Sequence, residues 1–351
     1  MNMSKIRLQI NAIDDQLLAL LEERMELVRA IGEIKRQSGT AIYRPDRERE
    51  ILDRLGAHKG VLTKSAIEAI FLEIFAVSRH LELAEKIAFL GPVGSFSHQA
   101  AESRFGAFGE YLAMQTIAAV FNAVEAGRAK YGVVPIANNV SGLVGDTIDK
   151  LETSSLLIAS DMELPIHHAF ASRAESLNAI KRVYSKDVAF CQCRAFFAEH
   201  LLETLDYIPV ESTTKAAQLA SADHEAAAVC SHIAAKLHDL PVLFENIEDS
   251  GENRTRFAIL SDFQNPASGK DKTTILAQTP NKAGALFLLL KEFNDAAINL
   301  TKLDSRPSKG DESRSQFFID FDGHRDDPAV AAILERRKDT IKWLGSYAKT
   351  C

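Results

Sequence analysis

Arg24 and Lys35 lie eleven residues apart. On an α-helix that is three turns, so both cations leave one face about 16 Å apart, a spacing that can hold the two ends of a small dianion. Arg7 precedes Arg24 by seventeen residues, about 100° around the same axis, and so addresses a different neighbour. Arg47 and Glu48 open a second helical segment, and Ser78 and Glu82 share one face of a third. Taken singly, each of these is an ordinary solvated helix group. Further along, Gly91-Pro92-Val93-Gly94-Ser95-Phe96-Ser97 leaves a strand and enters a helix, which turns backbone N–H groups toward space that an anion can fill. It has neither the spacing of a dinucleotide fingerprint nor a phosphate-loop lysine, so nucleotide binding is not expected. Ser212-Thr213-Thr214 precede another helix as an N-cap would, Asn253-Arg254-Thr255-Arg256-Phe257 reads locally as an edge strand, and Asn281 to Leu286 enters a helix through small residues that permit close approach.

The elements that must position these groups fall into three rhythms. Ile10, Ile13, Leu17, Leu20, Leu21, Leu27, Val28, Ile31 and Ile34 recur at helical spacing, which predicts one helix over 6–37, followed by shorter ones over 46–55 and 64–84. At about 48 Å the first is too long to bury its apolar stripe inside an 85-residue monomer, so a second copy is expected against it. From Lys86 short apolar runs (IAFLG, YGVVPI, RVYSK, AAVCS, PVLFENI) alternate with helical stretches, predicting a two-lobed α/β region of mostly parallel strands with a ligand cleft. DFQNPASGKDK, residues 262–272, reads as a linker. Beyond it the order strand, helix, strand, strand, helix, strand predicts a ferredoxin-like α+β unit.

Composition narrows the function. The chain has 351 residues, 46% of them hydrophobic, and a net charge of −7, enough material for two or three domains and no basic field for nucleic acid. Within the first 86 residues 14 Lys/Arg balance 14 Asp/Glu. The start MNMSKIRLQI lacks a signal-peptide core and no run approaches the ~18 apolar residues of a membrane span, so a cytoplasmic location is expected. Cys191, Cys193, Cys230 and Cys351 read as free thiols, and Cys191-Gln192-Cys193 has no second ligand pair; His167-His168 reads as structural, so no metal or cofactor is expected.

The segment IRLQINAIDDQLLALLEERMELVRAIGEIK with YRPDRERE and FLEIFAVSRHLE resembles the helical chorismate mutases. By that resemblance Arg24, Arg47 and Lys35 contact substrate carboxylates or the breaking ether oxygen, Arg7 reaches in from a partner subunit, Glu48 holds the substrate hydroxyl, and Ser78 and Glu82 line the far side. The rearrangement is pericyclic, so such a site selects a compact conformer and stabilises charge on the ether oxygen. Glu82 can donate to that oxygen only when protonated, which implies higher activity on the acidic side.

LGPVGSFSHQAA, YGVVPIANN, ESTTKAA and NIEDSGENRTRF resemble the prephenate dehydratases in order. The likeness implies that Thr255 assists departure of the ring hydroxyl and that Arg256, Phe257, Ser95, Asn138, Ser212 and Thr213 line the substrate pocket. The chain departs from the family at Pro135-Ile136-Ala137-Asn138-Asn139 and at Ser185-Lys186-Asp187-Val188, losing polar groups whose removal weakens binding. A non-aromatising prephenate decarboxylase and a degenerate ligand-binding regulatory domain are the alternatives. Finally, GALFLLLKEFNDAAINLTKLDSRPSK, QFFIDFDGH and WLGSY resemble the ACT domain of this family. It implies that Gly284, Ala285, Leu286, Asn299, Leu300, Asp304, Ser305, Arg306 and Pro307 belong to an allosteric phenylalanine site between two ACT domains. The expected protein is thus multidomain: an all-α mutase domain at 1–86, a periplasmic-binding-protein-like dehydratase domain at 87–263 and an ACT domain at 272–351. It would act on chorismate and prephenate, as an isomerase and lyase of phenylalanine biosynthesis inhibited by phenylalanine, in a homodimer or homotetramer.

Overall fold

The computed structural model describes residues 2–38, 44–82, 85–307 and 313–349. They cluster into two units, Met1–Glu85 with Arg104–Glu110, and Lys86–Ser103 with Tyr111–Cys351.

The first unit is built on α1 (Met3–Ser38), α2 (Pro45–Gly56) and α3 (Lys64–Glu82). Pro45 sits at the first turn of α2, where its missing N–H removes no helical hydrogen bond. α3 buries Ile67, Phe75 and Ala76 together with Ser78, Arg79 and Glu82, so polar groups occupy the inward face of an otherwise apolar helix. α1 approaches it at Gly32, where a Cβ would stand 3.1 Å from Glu82 Cα. Most of the α1 stripe finds no cover within one chain: Ile10, Ile13, Leu17, Leu20, Leu27, Ile31 and Ile34 are between 48% and 66% exposed.

From Lys86 the order is β1 (Lys86–Leu90), α4 (Phe96–Phe105), β2 (Glu110–Met114), α5 (Ile117–Glu125), β3 (Tyr131–Asn138), β4 (Gly142–Leu143), α6 (Gly145–Thr153) and β5 (Leu157–Pro165). Then come β6 (Ala169–Ser172), β7 (Arg182–Ser185), α7 (Asp187–Cys191), α8 (Arg194–Glu199), β8 (Asp206–Pro209), α9 (Thr213–Ser221), β9 (Ala226–Cys230), α10 (His232–Leu237), β10 (Val242–Phe244) and β11 (Arg254–Ser261). One sheet has the order β2-β1-β3-β11-β5, with β4 on β3, and a second has β10-β6-β9-β7-β8. These are the two expected lobes, but the strands are not mostly parallel. β1/β3, β7/β8 and β7/β9 pair parallel, whereas β11 runs antiparallel to both β3 and β5, and β6 antiparallel to β9 and β10. The cause is the connection: β5 carries the chain out to the second lobe and β11 brings it back, so the two crossover strands must oppose.

The remaining elements are β12 (Asp271–Pro280), α11 (Ala285–Asp295), β13 (Leu300–Pro307), β14 (Arg314–Asp322), α12 (Pro328–Arg336) and β15 (Ile341–Ala348). Their sheet order β13-β14-β12-β15 is the expected ferredoxin-like topology. It shares a core with the first lobe, since Leu276, Phe318, Leu344 and Tyr347 pack in one cluster with Val134, Ile136, Ile158 and Ala258. The stretch read as a linker is exposed at Asp262, Gln264 and 266–270 but is anchored by two buried polar residues. Asn265 is buried and donates to Ala159 O at 2.7 Å, while Asp271 accepts from Ser268 Oγ and already belongs to β12. These two polar residues are tolerated inside because each finds a partner.

Candidate active sites

In the helical unit, three helices converge on a cavity of about 440 Å³ lined by Arg24, Lys35, Arg44, Arg47, Glu48, Ser78, Arg79 and Glu82 with Leu27, Val28, Ile31, Ile51 and Phe75. The eleven-residue spacing does put Arg24 and Lys35 on one wall. Arg24 Nη1 donates to Ser78 Oγ at 2.5 Å, and Lys35 Nζ lies 2.7 Å from Glu82 Oε2. Burial draws the Arg24 pKa below the ordinary arginine value, against the opposing pull of Glu82. Arg47 reaches outward to Glu50 at 2.6 Å. Two lining arginines are absent from the sequence expectation. Arg44 forms a fork with Asp46 at 3.0 and 2.6 Å, and this hydrogen bond raises the Arg44 pKa. Arg79 pairs with Glu48 and donates to Phe105 O at 2.8 Å. The signal for Arg79 was its position directly after Ser78, near the inward face. Arg7 is exposed and stands outside this cavity. Glu82 accepts from Lys35, so the structure gives it an ion-pair partner, where the sequence reading had it donating a proton.

In the second unit a cleft of about 510 Å³ is walled by residues of both lobes. From the first come Ser95, Phe96, Asn138, Asn253, Thr255 and Phe257, and from the second His168, Lys186, Val188, Gln192, Glu211, Ser212 and Thr213. The loop after β1 closes against the second lobe at Gly94, whose φ of 87° and 3.0 Å clearance to Thr214 Cγ2 leave no room for a side chain. Ser231 Oγ donates to Gly94 O at 2.8 Å.

Thr255 and Phe257 face the cleft because they are alternate residues of β11. The same alternation turns Arg256 the other way, out of the substrate pocket where the resemblance put it. Arg256 is buried behind the strand, with Nε 2.6 Å from Asp161 Oδ2, Nη1 2.6 Å from Asp320 Oδ2 and Nη2 3.1 Å from Tyr347 Oη. Lys272 Nζ adds a contact to Asp161 at 2.7 Å. Burial opposes the charge of Arg256, yet Tyr347, Asp161 and Asp320 hold its pKa above the ordinary value. Burial likewise opposes the Asp161 charge, and Arg256 and Lys272 keep its pKa low.

Asn138 also does something other than expected. Its Nδ2 donates to Asn253 Oδ1 at 2.8 Å, Arg254 O at 3.0 Å and Thr255 Oγ1 at 3.0 Å, while its Oδ1 accepts from Val140 N and Ser141 N. With Asn138 donating to it, the Thr255 oxygen keeps its own proton free to donate elsewhere. Ser212 caps α9 by accepting from Lys215 N at 3.1 Å, and Ser95 Oγ donates to Leu90 O at 3.1 Å. Of the departures, Ala137 packs into the apolar core and Asn139 binds Glu252 O and Arg254 N, so neither lines the cleft; Lys186 and Val188 do. His168 lines it too, held by Gln192 at 3.0 Å, and burial pushes its pKa down, favouring the uncharged ring. His167 binds Glu248 at 2.6 Å.

The chorismate mutase type II family model matches residues 6–83, and the prephenate dehydratase model matches 87–265. A bifunctional chorismate mutase/prephenate dehydratase of Aquifex aeolicus is 39% identical over 99% of this chain and 98% of its own. The chain belongs to the bifunctional chorismate mutase/prephenate dehydratase family. It accordingly carries both activities, converting chorismate to prephenate and prephenate to phenylpyruvate in phenylalanine biosynthesis. Among solved structures, a prephenate dehydratase of Arthrobacter aurescens in complex with L-Phe is 33% identical, with a TM-score of 0.67 over 75% of this chain and 90% of its own. A structure titled GqqA, a quorum quenching acylase, is 30% identical, with a TM-score of 0.68 over 76% and 98%. The mutase match contains every residue of the helical cavity, and the dehydratase match contains every residue of the cleft.

The ferredoxin-like sheet of this bifunctional enzyme lies beyond both matches. Gly284 enters α11 with a φ of 79°, and Ala285 and Leu286 follow it. Asn299 and Leu300 stand at the other end of α11, Asn299 Nδ2 donating to Asp322 Oδ2 at 3.3 Å. Asp304, Ser305, Arg306 and Pro307 close β13. Arg306 Nη2 lies 2.6 Å from Asp149 Oδ1 and its Nη1 donates to Gly145 O at 3.3 Å, so the arginine ties β13 to α6. Among the described residues no helix is long and apolar enough to cross a membrane. Cys193 and Cys230 are buried free thiols and Cys191 is an exposed one, whereas Cys351 lies outside the described residues.

Proposed function

We propose that the helical cavity is the chorismate site and the inter-lobe cleft the prephenate site, within a cytoplasmic homodimer that senses phenylalanine through its C-terminal ACT domain. What supports the first assignment is the meeting of Arg24, Lys35, Arg47, Glu48, Ser78 and Glu82 from three helices around one cavity. Substrate carboxylates would take over the cations now engaged with Ser78, Glu82 and Glu50, and a cation left on the ether oxygen stabilises charge that grows only in the transition state. Arg7, exposed on the same helix, is then available to the cavity of a second chain, and the uncovered α1 stripe supplies the surface that would hold that chain.

In the cleft, Thr255 donates to the departing ring hydroxyl while Asn138 orients it; a threonine is a weak acid, so position is its contribution. For the sensor, an eleven-residue α11 separates Gly284 from Asn299 by about 16 Å. One chain therefore cannot bring both ends onto a single amino acid, and two sensors packed together can. The Arthrobacter relative's bound L-Phe favours that ligand.

Supplying chorismate to the purified protein tests the assignment. Arg24→Ala should abolish prephenate formation and leave conversion of added prephenate to phenylpyruvate intact, and Thr255→Val should do the reverse. A non-aromatic decarboxylated keto acid, or prephenate that accumulates in the wild type, would refute the cleft chemistry. Phenylalanine should lower the dehydratase rate more than the mutase rate, and equal inhibition of both would refute the sensor.

A further inference from the structure

The turning away of Arg256 leaves the dehydratase cleft nearly without positive charge. Among the described residues that line it, Lys186 is the one Lys or Arg, facing the acid Glu211 across the same space. Burial lowers the pKa of His168, the histidine of the wall, which favours its uncharged form. Lys186 is exposed at the entry to α7 on the second lobe, and among the described residues its Nζ makes no ion pair. Without Lys186 the lining would be net negative, which disfavours a dianion.

From this we infer that Lys186 is a specificity-determining residue of the dehydratase step, its ammonium binding the carboxylate of the pyruvyl side chain of prephenate. The choice between the two carboxylates follows from the reaction. The ring carboxylate leaves as carbon dioxide, its bonding pair moves through the ring and the C4 hydroxyl is expelled, taking a proton to leave as water. A cation on that carboxylate would stabilise the ground state and lose its partner in the transition state, raising the barrier. The side-chain carboxylate keeps its charge throughout, so a cation there binds ground and transition states alike. Thr255 and Lys186 then hold opposite ends of the substrate from opposite lobes. The inference rests on the cleft being the prephenate site.

Steady-state kinetics with prephenate on the full-length Lys186→Met and Lys186→Arg proteins, at low and high salt, test it; chorismate turnover by the same samples shows that the chain is folded. Loss of one charge-assisted contact should raise KM for Lys186→Met by about tenfold to a hundredfold, with the loss falling on KM and not on kcat. The salt dependence of kcat/KM should flatten, and Lys186→Arg should restore both. An unchanged KM and salt dependence would overturn the inference, as would a rise in kcat alongside the raised KM, which would put the cation on the departing carboxylate. Failure of the wild type to form phenylpyruvate from prephenate would instead overturn the site assignment.

Discussion

Replacing Arg256 by methionine removes the cation from a junction that is closed to water on every side. Asp161, Asp320 and Tyr347 are each 3% exposed or less, and of the two cations described beside Asp161, Lys272 at 2.7 Å would remain. Breaking a buried pair by deleting one partner costs about 3–5 kcal/mol, most of it the stranded charge. For a unit of this size each kcal/mol moves the melting temperature by about 2–4 °C, so Arg256→Met should melt about 6–20 °C below the wild type. The pH dependence has a definite sign. The folded-state pKa of Asp161 is depressed, so its contribution is fully present above the unfolded value near 3.8 and is lost as pH falls through the lower folded value. In the variant, burial works against that carboxylate without Arg256 to oppose it, and protonation relieves the penalty. The deficit should therefore be largest near pH 7 and shrink toward pH 4. Trp343, the chain's one tryptophan, lies in β15 and reports the melt by fluorescence. A variant that melts within about 2 °C of the wild type at pH 7, or whose deficit grows on acidification, would refute the account.

A Cβ at Gly345 would overlap the carbonyl oxygen of Ile158, so Gly345→Ala should push β15 off β5 and cost about 1–3 kcal/mol, seen as earlier loss of Trp343 fluorescence in urea. Aspartate at both Leu17 and Leu20, exposed on the α1 stripe, should convert the assembly to monomers by light scattering and abolish mutase turnover, because Arg7 would no longer reach a partner. Burial pushes the Cys230 thiol up to about 12 and raises the Cys193 thiol as well. Both should stay inert to a thiol reagent at pH 8 in the folded protein, and Cys191→Ser should remove one fast-reacting equivalent.

The residues alone determined the three rhythms of this chain. A 3.6-residue period over α1 and short apolar runs from Lys86 depend on which side chains must be buried, and that is written locally. The spacing of Arg24 and Lys35 placed them on one wall because a helix has a fixed rise, and the strand, helix, strand order beyond Asp271 sufficed for the ferredoxin-like topology. Strand alternation separating Thr255 and Phe257 from Arg256 was present in the sequence too, but which face met the cleft was not. That depended on Asp161, 95 residues upstream, and Asp320, 64 residues downstream, meeting behind β11. The antiparallel insertion of β11, the burial of Asn265 and Asp271, the hydrogen bond from Asn138 to Thr255, and the position of Lys186 in the cleft lining were settled only in three dimensions. Each rests on pairings between distant parts of the chain, and a buried polar group takes whichever partner the packed elements bring within about 3 Å.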